Sequence, residues 1–158
     1  MSSRSKGLCL LAIAAAACSE AAGRPASAQA DPAKNGYNAC RLLKQEELNA
    51  LTEKKVLLAN VEEAAPERSV CIWEDSAGPV FKMTVYWTGG KQGWETWRIR
   101  SDSINQGLIA GLGDGAYFSE LLPSLLLKND TLVEMEMSLV PNPTRKFRGL
   151  AMALLSRL

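Results

Sequence analysis

The stretch SLLLKNDTLVEMEMSLV, residues 124–140, constrains the fold more than any other part of the chain. Two apolar runs, 125–128 and 131–139, flank Asn129-Asp130. In the second run Val133, Met135, Met137 and Leu139 alternate with Glu134, Glu136 and Ser138. A period of two puts these sets on opposite faces of a strand. Asn and Asp tolerate the positive φ that a two-residue hairpin turn demands. The expectation is an antiparallel sheet with one buried face and one wet face.

The neighbouring segments fit that sheet. VFKMTVYW, 80–87, sets Phe81, Met83, Val85 and Trp87 against Lys82 and Thr84. Residues 57–61 and VCIWED, 70–75, read as short strands, with EEAAPERS, 62–69, as an acidic loop between them. Three helices are expected. The first follows Asn38, which can cap a helical turn, and runs to about residue 50, with Cys40, Leu42, Leu43, Leu48 and Leu51 as its apolar side. The second covers 92–106, with Trp94, Trp97, Ile104 and Leu108 near one face. The third carries Phe147, Leu150, Ala151, Leu154, Leu155 and Leu158 at three-four spacing, with Pro143 near its start. The order helix, strands, helix, strands, helix predicts a single α+β domain over 38–158: an antiparallel sheet with helices packed on one face.

The chain begins as an export signal would. Arg4 and Lys6 precede a ten-residue apolar run, 8–17, too short to span a bilayer. Two processing readings stand. Ala28-Gln29-Ala30 is an A-x-A site, making 1–30 a signal peptide and Asp31 the first mature residue. Alternatively 1–17 is a lipoprotein signal, Cys18 takes the lipid, and 18–37 is a flexible tether. The expected location is the periplasm, soluble or lipid-anchored, with the membrane reached only through that anchor.

Export gives the cysteines a meaning. The chain has 4 of them. Cys9 lies in the signal core and Cys18 is removed or lipidated, which leaves Cys40 and Cys71. An even number of thiols in an oxidising compartment predicts a disulfide. Two buried, unpaired thiols are the alternative. No metal is expected, because two cysteines 31 positions apart without histidine or CxxC do not supply a tetrahedral set.

Several chemistries are hard to reach. With 0 histidines there is no Ser-His-Asp or Cys-His nucleophile and no His-ligated metal. Beyond residue 30 the chain keeps 15 basic and 16 acidic side chains and no basic run, which argues against nucleic acid as a partner. GLGDGAYF, 111–118, has the glycines of a phosphate loop without a preceding strand, a following helix or a Gly-Lys-Ser/Thr. It reads as a tight turn in which Asp114 bonds local backbone. No cofactor is implied. Glu62-Glu63 and the Glu134, Glu136 pair read as solvated faces. Tyr86, Trp87, Trp94 and Trp97 cluster around Gly89-Gly90. They are the first choice for a recognition surface, and large core residues are the other reading.

Cys40-Arg41-Leu42-Leu43, Glu46-Glu47-Leu48, Leu51-Thr52, Val56 and Cys71-Ile72-Trp73 form the first half of a broader pattern. The run 111–118, a Leu-rich hairpin and a C-terminal helix form the second. Over 38–158 the chain resembles a broad group of exported bacterial domains of unknown function. The group includes small actinobacterial lipoproteins and is similar in outline to the extracellular sensor domain of a mycobacterial serine/threonine kinase. The resemblance implies an exported or lipid-anchored domain, a bridge between the two cysteines and no established enzyme activity. Lys44 stands where the group has a capping Thr or Ser, and Glu53 where a Gly ends the helix. The expected function is non-enzymatic binding of a protein partner or small ligand in the cell envelope. The alternative is an inhibitor or immunity-type protein that blocks an envelope enzyme.

Overall fold

A computed structural model describes residues 36–100 and 107–158. The two processing sites, Cys18 and Ile104 lie outside them. The sheet has six strands: β1 (Leu58–Ala64), β2 (Arg68–Asp75), β3 (Gly78–Tyr86), β4 (Gly115–Tyr117), β5 (Ser124–Lys128) and β6 (Thr131–Glu136). Their spatial order is β1-β2-β3-β6-β5-β4, and every pairing is antiparallel. The helices are α1 (Gln45–Thr52), α2 (Gly90–Arg100) and α3 (Pro143–Leu155), with a 3₁₀ turn at Ala39–Arg41 before α1. The α+β architecture matches the expectation. The 62–69 segment does not stay a loop: β1 continues to Ala64 and β2 starts at Arg68, with the Ala65 N–H donating to the Arg68 carbonyl at 2.9 Å.

Alternation divides the sheet into two faces. Cys71, Trp73, Phe81, Met83, Val85, Leu126, Val133 and Met135 share the first face and are buried in the main core. The 3₁₀ turn, α1 and α3 close over it through Leu42, Leu48, Phe147, Ala151 and Leu154. Burial of this kind stabilises by about 1.5–3 kcal/mol per large apolar side chain. Leu125, Leu127, Leu132 and Tyr117 point to the second face and bury there with Trp94. Thus α2 does not join the other helices but covers the β4-β5-β6 half of the second face. The reason is in the strands: β5 is buried on both sides over 124–127, so it needs a cover on each.

The hairpin turn anchors α2. Asn129 takes φ 55°, as expected of the turn. Asp130 is the less visible half. Its carboxylate accepts from the N–H groups of Gly89 (2.8 Å) and Lys91 (3.2 Å) at the start of α2, and its carbonyl accepts from Gly90 N–H (2.8 Å). Those donors hold the Asp130 carboxyl below its ordinary pKa. A Cβ at Gly90 would lie 2.5 Å from that carbonyl, so the close approach requires glycine.

Cys40 and Cys71 form a disulfide, with Cα atoms 5.2 Å apart. It ties the 3₁₀ turn to β2. Asn38 caps that turn, its side chain accepting from Cys40 N–H at 2.9 Å. Glu47 compensates for the lysine at the start of α1 by accepting from the Lys44 N–H at 2.8 Å. Glu53 ends α1 in the left-handed region, φ 57°, where a side chain is strained and glycine is favoured. Lys146 of α3 reaches that end, donating to the Leu51 carbonyl and pairing with the Glu53 carboxylate, each at 2.7 Å. At the other end of α1, Arg157 grips both carboxylate oxygens of Glu47 and the Leu42 carbonyl. The Arg157 hydrogen bonds hold the Glu47 carboxyl down at about 2.

Candidate functional site

The four aromatic candidates do not form one patch. Trp87 sits in the main core at 4% exposure, its indole N–H donating to Ser69 Oγ at 3.0 Å. Tyr37 meets its ring edge-on, with centroids 5.9 Å apart. Trp94 is 8% exposed under α2 on the opposite side of the sheet. Both tryptophans are committed to cores, as their large apolar area favours. Trp97 and Tyr86 are half-buried at the margin of the second cluster, with Trp97 4.2 Å from Tyr117 between ring centroids. Parity explains the split: Tyr86 and Trp87 are consecutive and so take opposite sides.

Beyond Tyr86 the second face turns polar. The Arg68 guanidinium lies 5.7 Å from the Tyr86 ring centroid and pairs with Glu63 at 2.7 Å. Tyr86 Oη donates to Glu134 at 3.4 Å. Burial raises the pKa of Glu134 and of Tyr86. Glu136 points the same way but is exposed and paired with Lys82 at 3.2 Å. The two acids expected on one polar face thus occupy different environments. Among the described residues, no three Cys, Asp or Glu side chains converge as a metal set would need. The 111–118 turn is structural: Gly113 has φ 58°, a Cβ there would lie 2.3 Å from the Leu127 carbonyl, and Asp114 accepts from Asn129 N–H at 2.5 Å.

A different feature offers surface to a partner. At the β1 edge a cavity of about 210 Å³ opens between α1 and the sheet. Cys40, Leu43, Gln45 and Leu48 line it on the helical side, and Val56 to Ala59 with Trp73 on the side of the sheet. Val56 is held by α1: Gln45 donates to the Val56 carbonyl at 2.7 Å, and Asn49 accepts from the Val56 N–H at 2.8 Å. Beside it Leu57, just before β1, and Leu58 and Val61 within it are 56%, 52% and 45% exposed; Leu58 points to the second face and Val61 to the first, so both sides of this edge strand carry an exposed aliphatic side chain. A register shift between Val61 and Glu63 then turns the strand into its acidic half, Glu62-Glu63. Sequence reasoning read 57–61 as a strand but missed its position, because strand order is set by long-range pairing. Two other clefts of similar size, about 230 and 210 Å³, flank Glu136 and Ser138, near exposed Leu139 and Leu121. Leu139 was expected on the core face; β6 ends at Glu136, so the alternation no longer governs it.

No known protein family, curated protein or solved structure matches this chain. Among the described residues, no helix is long and apolar enough to cross a membrane.

Proposed function

We propose that this is a non-enzymatic, exported domain of the cell envelope that binds a partner through the β1 edge. The observation that carries the reading is the cavity between α1 and the sheet, beside an edge strand whose Leu58 and Val61 are exposed, with exposed Leu57 just before it. Isolated exposed leucines need no explanation, but three exposed aliphatic side chains within five residues, next to a cavity, mark an interaction site. The disulfide fits an oxidising compartment, and the N-terminal charge and apolar run fit export to the periplasm, soluble or anchored through Cys18.

The test is site-specific photocrosslinking in intact cells, with a photoreactive residue at Leu58 or at Met152. Met152 is equally exposed, at 59%, but lies on α3. The expected result is one discrete adduct from position 58 and none from 152. The captured partner, once purified, binds the protein and fails to bind Leu58→Lys. Identical adducts from both positions, or none from 58, overturn the reading.

A further inference from the structure

We infer that the occupant of the β1 edge is an extended peptide segment of another protein, added as a seventh strand, with one apolar side chain in the cavity and a basic residue near Glu62. The inference rests on the reading above and names the partner's chemistry.

Three observations carry it. First, among the described residues β1 ends the strand order, so alternate backbone N–H and C=O groups along 58–64 face away from β2. An extended backbone satisfies that array; a compact small molecule does not. Second, the cavity volume decides between occupants. Pockets for small ligands run to about 300–1,000 Å³. At about 210 Å³ this one is the size for a single large side chain. It opens on the first face, where Ala59 and Val61 point, so a residue of an added strand facing the same way reaches it. Third, charge selects the sequence. Glu62 is exposed and Glu63 half-buried just beyond the apolar run. Glu63 is already paired with Arg68, so a Lys or Arg about four positions from the apolar anchor, where the added strand passes the bulge, meets Glu62. A second copy of this chain is disfavoured by the same feature. Antiparallel self-pairing centred on Val61 brings the Glu62 carboxylates of two copies within diagonal reach, where like charges destabilise.

The probe is a displayed library of random eight-residue peptides panned against the purified protein, followed by synthesis of the enriched sequences. The expected consensus is Leu, Ile or Phe with Lys or Arg about four positions away. Two N-methylated versions of each peptide are then compared, carrying the methyl groups at odd or at even positions. Strand addition predicts that one version loses affinity about tenfold or more and the other keeps it. Ala59→Trp, which fills the cavity mouth, removes binding while Tm stays near that of the parent. Equal binding of both N-methylated versions, no enrichment, or a dimer that competes with the peptide overturns the inference. Failure here with a position-58 crosslink intact leaves the binding edge standing and removes only the peptide; loss of the crosslink removes both.

Discussion

The two edges of the sheet are managed in opposite ways. At β4 the edge is short and covered. Residues 107–109 run alongside it: Ile109 N–H donates to the Ala116 carbonyl and Phe118 N–H to the Gly107 carbonyl, each at 2.9 Å, and Leu108 bridges Tyr117. Glycines let the chain come that close, since a Cβ at Gly107 would strike the Tyr117 ring at 2.3 Å. At β1 the edge is seven residues long, apolar at one end, acidic and bulged at the other. The bulge and the glutamates guard against indiscriminate pairing. They leave the Leu58 end open. One edge closes the fold, and the other has no strand beside it among the described residues.

That contrast makes stability and binding separable. The largest stability loss is expected from Cys40→Ser with Cys71→Ser. The pair closes a loop of 31 residues behind β1 and β2, worth about 3 kcal/mol. Urea unfolding of the double variant measures it. Next comes Gly113→Ala at the covered end. Strained φ and the clash with the Leu127 carbonyl together cost about 2 kcal/mol, read as a lower urea midpoint with unchanged m. A loss at Gly113 as small as that of a surface change would show the β4 end to be less tightly built than its geometry implies.

Smaller effects follow. Asp130→Ala removes the cap that joins the hairpin to α2 and is expected to cost about 1 kcal/mol, with hydrogen exchange accelerated in α2 first. Glu47 gives a pH signature. Its folded pKa, about 2, lies below the ordinary 4.5, so the Arg157 pair contributes fully above pH 4.5 and is lost as pH falls from there toward 2. Partial exposure limits the effect to about 1 kcal/mol. The Tm difference between the parent and Glu47→Gln therefore shrinks across that window and is constant above it. Smallest of all is Leu58→Lys, expected to change stability by less than about 0.5 kcal/mol while abolishing partner binding. A large Tm drop in that variant would make β1 a structural edge like β4.

Much of this fold is written locally. The Asn129-Asp130 hairpin, the alternation of β3 and the leucine face of α3 each need only a short window of sequence to read, because they follow from the period of one element. Lys44 and Glu53, odd for their positions, coincide with the two ends of α1, where Glu47, Arg157 and Lys146 compensate for them. What stays hidden is relational. The apolar stripe of α2 names a buried side but not which face of the sheet will bury it; β5, buried at four successive positions, settles that only after the strands pair. The aromatic group splits for the same reason. Trp87 and Trp94 are seven residues apart in sequence and lie on opposite sides of the sheet. The cavity at β1 draws its walls from α1, β1 and β2, so no single window holds it.

Amide hydrogen exchange, followed residue by residue by NMR in the free protein, tests the contrast between the edges most directly. The account predicts protection of Ile109 and Phe118 at the β4 edge, with alternate amides of residues 58–64 exchanging near the rate of an open chain. Uniform protection along β1 would mean that its outward amides are already bonded, and the claim that this edge is held open for a partner would be wrong.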